Sequence, residues 1–220
     1  MRRYLTASWI FILAICLKAE IINLPLAQTT GGVGINQVIT KRRSVRRFSS
    51  QSLTLNELSQ LLWSAQGITD PYGKKRSAPS AGAIYPLKLY IVIKTNGVKG
   101  IDAGIYLYIP QNHSIRLIKK GDYMRKLAEI SYGQFWIEKA PIAFIFCADP
   151  QRMMARYRER AWLYIHLETG MAGENLMLCA VSLELGSCAV GAFWDNKLAN
   201  LLQLPETQKP LLIIPVGKKL

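Results

Sequence analysis

The sequence predicts an α+β fold. Short apolar runs of strand length lie close together between 87 and 118, helical patterns fall on both sides of them, and no regular strand–helix–strand alternation joins the two. Half of the 220 residues are hydrophobic, which suits one domain with a well-buried core and excludes a disordered chain.

Residues 1–34 read as a leader, a signal peptide or membrane anchor. Arg2 and Arg3 form a charged start, and the apolar core from Trp9 to Leu17 is too short to span a bilayer comfortably. Lys18 and Glu20 interrupt it, and a second apolar patch at 21–27 leads to a Gln/Thr/Gly exit. Arg2-Arg3-Tyr4-Leu5 is similar to a shortened twin-arginine signal, and Ala14-Ile15-Cys16 gives only a weak lipoprotein-type site. Export to the periplasm or membrane attachment through the leader is expected, the alternative being a cytoplasmic enzyme with a mis-assigned start.

The domain proper is expected over 35–220. A helix at 35–43 carries basic residues at its end. Thr54 and Glu57 form a capping box opening a helix with Leu55, Leu58, Leu61, Leu62 and Ala65 on one face, ended by Gly67. Residues 87–95, 104–109 and 114–118 read as strands, the last two joined by a Pro110-Gln111-Asn112-His113 turn. A short helix at 122–131, an apolar strand at 142–148, a long helix at 159–185 ended by Gly186, a helix capped by Asp195 and closed by Pro205, and a final strand at 211–216 complete the reading. The long helix is apolar almost all round, so it must be covered on more than one side. A second copy of the chain is the natural cover.

The net charge of +14, from 28 basic and 14 acidic residues, favours an anionic ligand, an anionic lipid surface or nucleic acid. No nucleic-acid motif accompanies it, so no nucleic-acid partner is expected. The four cysteines show neither disulfide nor metal spacing, so no metal site is expected. Cys147 and Cys179 lie in apolar segments and behave as small hydrophobes.

Two segments carry chemistry. Residues 41–48 read Lys-Arg-Arg-Ser-Val-Arg-Arg-Phe, five permanent cations around a hydroxyl. Arginine forks match phosphate oxygens in pairs, and Ser44 adds a donor. A solvated basic run or a targeting patch is the plainer alternative. The second segment, Ser77-Ala78-Pro79-Ser80-Ala81-Gly82-Ala83-Ile84-Tyr85-Pro86-Leu87, is a run of small residues that lets backbone approach a flat ligand.

Together these segments resemble the nitroreductase family of flavoproteins, in particular its SagB-type dehydrogenase branch. The resemblance rests on Arg42 to Phe48, Leu61 to Gly67, Pro79 to Leu87, Leu167-Glu168-Thr169-Gly170 with Asn175-Leu176, Val190-Gly191-Ala192-Phe193 and Pro215-Val216-Gly217-Lys218, in the family's order over roughly residues 36–219. It implies a nitroreductase-like fold, a central, mostly antiparallel sheet flanked by helices, and a homodimer with FMN at its interface. By the same resemblance Arg42, Ser44 and Arg46 hold the phosphate and ribityl region. Arg43 is counted with this clamp, although like Arg47 it is expected to face solvent or the partner chain. Pro79, Ser80 and Ala81 would lie along the ring, Val190, Gly191 and Ala192 would pass backbone over it, and Lys218 would reach the phosphate. Gln66 is a further candidate for a ring contact.

The implied activity is FMN-dependent oxidoreduction, with hydride passing through the flavin to or from a small molecule or an azoline ring derived from a peptide. NADPH or NADH is the candidate reductant. Tyr85 and Tyr157 are candidate proton donors. Glu168 is a candidate partner for Arg156 or Arg160, and Asn175 for a structural hydrogen bond. Met171 departs from the branch, where histidine often follows the glycine. The alternatives are a flavin-binding protein without turnover, used for sequestration or sensing, and a basic membrane-attached protein without a cofactor.

Overall fold

The computed structural model describes residues 20–220. Its centre is a seven-stranded sheet of β1 (Ile21–Asn23), β2 (Leu87–Ile93), β3 (Gly104–Ile109), β4 (Ser114–Lys120), β5 (Ile142–Ala148), β6 (Leu185–Ser187) and β7 (Lys209–Lys218). The order is β1-β4-β3-β2-β5-β7-β6, and every one of these pairings is antiparallel. Strand alternation sends side chains to two cores. Leu87, Leu89, Ile91 and Ile93 face α2 (Leu55–Gln66) and α5 (Ala161–Ser182). Tyr90 and Val92 face α3 (Met124–Ile130) and α6 (Asp195–Leu202). The remaining helices are α1 (Ile35–Lys41) and α4 (Gln151–Tyr157).

The capping box forms as expected. Thr54 Oγ1 accepts the Glu57 N–H at 3.2 Å, and Glu57 Oε2 accepts the Thr54 N–H at 2.7 Å. The hairpin turn forms too, with His113 in the left-handed region at φ 45°.

Several boundaries differ. Helix α1 stops at Lys41, so residues 42–48 leave it in extended form. Helix α5 stops at Ser182, because Leu185-Gly186-Ser187 is taken by the edge of β7, with Gly186 opposite Gly217. Trp194 rather than Asp195 precedes α6, and no side chain caps it. Helix α4 and strand β6 are additions to the sequence reading.

Strand β1 lies inside the stretch read as leader. Ile22 pairs with Ile115, and Leu24 is buried in the core. The Pro25 carbonyl accepts from Ser59 Oγ at 2.5 Å and from His113 Nε2 at 3.0 Å, while His113 Nδ1 lies 2.8 Å from the Tyr108 hydroxyl. Burial lowers His113 below the ordinary histidine value, against the opposing pull of the Pro25 carbonyl. The folded unit therefore begins upstream of residue 35. The apolar run from Trp9 to Leu17 and Cys16 lie outside the described residues, among which no helix is long and apolar enough to cross a membrane.

Candidate functional site

After α1 the chain runs along the edge formed by β6 and β7. Val45 N–H donates to Ser187 O at 2.9 Å, and Ser49 N–H to Lys218 O at 2.9 Å. Val45 packs so closely on Gly186 that a methyl there would sit 2.6 Å from Val45 Cγ1. Phe48 is buried and anchors the run, while Ser44 and Arg46 are exposed. Arg42 Nε stands 4.0 Å from Glu174 Oε1 on α5, and the Arg46 guanidinium lies 5.7 Å from the Trp136 ring centre. Arg43 does not join them. Its Nη1 turns back to Thr40 O at 3.0 Å and Arg42 O at 2.7 Å, a cation on the carbonyl end of α1.

The small-residue loop is tightly wound, with Gly82, Ala83 and Tyr85 all left-handed, at φ 59°, 53° and 53°. Glu168 Oε1 accepts the Ala81 N–H at 2.8 Å, Ser80 Oγ accepts the Tyr85 N–H at 2.8 Å, and Asn175 Nδ2 donates to Ser77 O at 3.1 Å. Asn175 thus makes the structural bond expected of it. Glu168 does not pair with Arg156 or Arg160; it is buried against the loop. Burial is the largest influence on its carboxyl and leaves it above the ordinary value despite donors from Ala81 and Ser80.

Arg156 and Tyr157 at the end of α4 stand over Gly82. A methyl on Gly82 would meet Arg156 Nη1 at 2.6 Å and the Tyr157 hydroxyl at 2.7 Å. The next residue, Arg158, is held at φ 48°, ψ −124°, where non-glycine residues are strained. Tyr85 points elsewhere. Its ring lies 4.7 Å beneath the Arg76 guanidinium, and its hydroxyl accepts the Arg76 N–H at 3.2 Å. Of the two tyrosine candidates, only Tyr157 brings its hydroxyl over the loop. Gln66 is also taken by Arg76, whose Nη1 donates to Gln66 Oε1 at 2.9 Å.

A cavity of about 300 Å³ opens beside the loop, lined by Pro79, Ser80, Ala81, Tyr164, Leu167, Glu168 and Met171. Val190 exchanges two backbone bonds with Ile213, at 2.8 and 3.0 Å, and so fixes the start of the 190–192 segment. Gly191 and Ala192 are exposed, and a methyl on Gly191 would meet nothing within 4 Å. Lys218 donates to Glu57 Oε1 and lines a second cavity of about 440 Å³ with Lys41 and Lys219. Burial alone would raise Glu57; the Lys218 bond and the Thr54 donors outweigh it and hold the carboxyl below its ordinary value.

Helix α5 brings the two predicted segments together. Glu168 holds Ala81, Asn175 holds Ser77 and Glu174 faces Arg42. The six steps of helix from Glu168 to Glu174 span about 9 Å along the axis. Arg76 and the position of Gly82 beneath Arg156 and Tyr157 were missed by sequence reasoning. Arg76 could have been noticed as a cation directly preceding the loop, but the Arg156 contact joins segments with no sequence signal in common.

The sequence profile of the nitroreductase family matches residues 39–218. A protein of Methanocaldococcus jannaschii named as a nitroreductase is 42% identical over 188 residues, 86% of this chain and 92% of that one. The microcin B17-processing protein McbC of Escherichia coli is 24% identical, over 73% of this chain and 61% of its own length. The NADPH-type FMN reductase of Bacillus subtilis is 24% identical, over 82% of this chain and 64% of its own. The chain therefore spans less than two thirds of those two relatives. A nitroreductase structure from Ralstonia eutropha superposes with a TM-score of 0.81 at 27% identity, covering 91% of this chain and 90% of the other. The antiparallel seven-stranded sheet, the basic run and the small-residue loop meeting on α5 agree with these matches, and the chain belongs to the nitroreductase family of oxidoreductases.

Proposed function

We propose that the chain is an FMN-dependent oxidoreductase that works as a homodimer, with NADPH or NADH as reductant and a small molecule or an azoline-type ring from a peptide as substrate. The observation that supports it most is that one helix, α5, contacts both the basic clamp and the small-residue loop, through Glu174 and Glu168 about 9 Å apart along its axis. Relatives named as an FMN reductase and as a microcin-processing protein support the cofactor and the two substrate classes.

The residues present fit the cofactor. Among the described residues, Arg46 has no carboxylate partner and Arg42 has only Glu174 at 4.0 Å, so their charge is available to a phosphate, with the exposed Ser44 hydroxyl between them as a further donor. The Ser77 hydroxyl is buried beside the loop without a hydrogen-bond partner, and Gly191 faces open space. FMN, when bound, would supply the hydride chemistry. Arg42, Ser44 and Arg46 would hold its phosphate and ribityl end. The wall of Pro79, Ser80 and Ala81, braced by Glu168, would exclude water from one side. Tyr157, with its hydroxyl over Gly82, would donate or accept the substrate proton. Leu163, Leu167 and Met171 lie on one stripe of α5 and are 46%, 54% and 42% exposed, an apolar face that a second copy of the chain would cover.

The test is the content of the purified protein. Denaturation should release FMN, and stoichiometric FAD would sink the proposal. Arg42→Ala and Arg46→Ala should each weaken flavin binding by about 1.5–3 kcal/mol. Light scattering should give twice the chain mass; a stable, flavin-loaded monomer would overturn the dimer.

A further inference from the structure

Helix α4 and the turn after it carry Arg152, Arg156, Arg158 and Arg160, with Glu159 the one acid among them. All four arginines are exposed, and among the described residues none has a carboxylate within ion-pair distance. A solvated basic face is the plain reading of such a run. Arg156 and Arg160 differ from it in what they touch.

Each stands by a tyrosine ring. The Arg156 guanidinium lies 5.4 Å from the Tyr157 ring centre and the Arg160 guanidinium 5.6 Å from that of Tyr164. The two rings meet edge to face at 5.0 Å, and Arg160 Nε donates to the Tyr164 hydroxyl at 3.3 Å. Two cations and two rings thus form one continuous surface. It borders the cavity at Pro79–Ala81, because Tyr164 belongs to the cavity wall and Arg156 Nη1 stands over Gly82. Arg158, between the two arginines, holds the strained backbone at φ 48°, ψ −124°. Strain of this kind is kept where a ligand site needs it.

We infer that this surface binds the adenosine phosphate end of NADPH, so that the protein takes NADPH in preference to NADH. The inference rests on the proposed oxidoreductase reading, which leaves that choice open. The two reductants differ by one phosphate monoester, which carries close to two negative charges and three acceptor oxygens. Arginine forks pair with such oxygens two at a time, and tyrosine rings give an adenine base an apolar surface. The cavity, at about 300 Å³, is at the lower end for a small-molecule pocket. It suits a reacting ring, and the rest of a dinucleotide must lie over its rim. No cation lines the cavity itself, so the phosphates are drawn to the rim, where the arginines stand.

Calorimetric titration of the full chain as purified tests it, with 2′,5′-ADP and 5′-AMP as probes. The wild type should bind 2′,5′-ADP about tenfold more tightly than 5′-AMP. Arg156→Gln and Arg160→Gln should each remove most of that ratio while leaving 5′-AMP affinity nearly unchanged. Both residues are exposed, so either variant alone decides the matter should the other fail to fold. Arg125→Gln on α3 removes the same charge elsewhere and should leave the ratio intact. Equal affinity for the two probes would overturn the inference. So would an equal loss in Arg125→Gln, which would trace the ratio to the net charge of +14. The absorbance of the same samples separates this inference from the flavin reading. A yellow protein that does not discriminate between the probes removes the arginine surface alone. A colourless protein that prefers 2′,5′-ADP removes the flavin and keeps the surface.

Discussion

The Glu168 carboxylate accepts the main-chain N–H of Ala81 at 2.8 Å, across 87 residues of chain. The bond ties the small-residue loop to α5 through a group that burial holds above its ordinary value of 4.5. A carboxyl raised in the fold contributes stability below its unfolded value and loses it as the pH rises through the folded one. Glu168→Gln keeps an acceptor for Ala81 but does not ionise. The melting temperature of the variant relative to the wild type should therefore increase from about pH 4.5 towards neutrality, then level off. A difference independent of pH would show that Glu168 stays protonated or stays charged throughout.

Gly82 is held at φ 59° beneath Arg156 and Tyr157. Gly82→Ala adds backbone strain and a clash, and should cost about 1–3 kcal/mol in urea unfolding. Because the methyl collides with the Tyr157 hydroxyl, turnover should fall further than flavin occupancy. Equal loss of both would remove Tyr157 from the chemistry.

Arg158 sits at φ 48°, ψ −124° without glycine's freedom. Arg158→Gly should raise stability by about 1 kcal/mol, the strain released less the extra chain entropy. A lower denaturation midpoint would mean that the Arg158 side chain contributes more than the strain costs.

A chain that begins at residue 20 keeps all the described contacts. One that begins at residue 35 loses β1, bares the edge of β4 and takes the Pro25 carbonyl from Ser59 and His113. The loss of the buried Leu24 side chain alone should cost about 1.5–3 kcal/mol. Urea midpoints of the two truncated proteins should separate accordingly; coincident midpoints would show that 20–34 contributes nothing.

Strands 104–109 and 142–148 were legible to the residue because turn-forming residues bound them on both sides and their apolar content is high. The capping box at Thr54 and Glu57 was legible because its signature is local. The end of α5 was not: Leu185-Gly186-Ser187 continues an apolar run, and only its pairing with β7 makes it a strand. Strand β1 was hidden for the same reason, its partner lying some ninety residues downstream. At the candidate site, a mostly exposed basic run at 42–47 was readable from residue chemistry, whereas the turn of Arg43 back onto the end of α1 was not. Glu168 carried an apolar helix's signal that it needed a partner, but the partner turned out to be a backbone N–H.

The closure of the sheet by β1 has a consequence in time. Pro25 emerges from the ribosome first, yet its hydrogen-bonding partner His113 lies 88 residues later in the chain. At ordinary rates of synthesis that interval is on the order of 5–20 s. For that period the residues around β1 have no strand to join and remain open to any factor that reads a nascent chain. Once β4 forms, the same residues are withdrawn into an edge of the sheet, so a factor that needs them extended must act before the hairpin of β3 and β4 is complete.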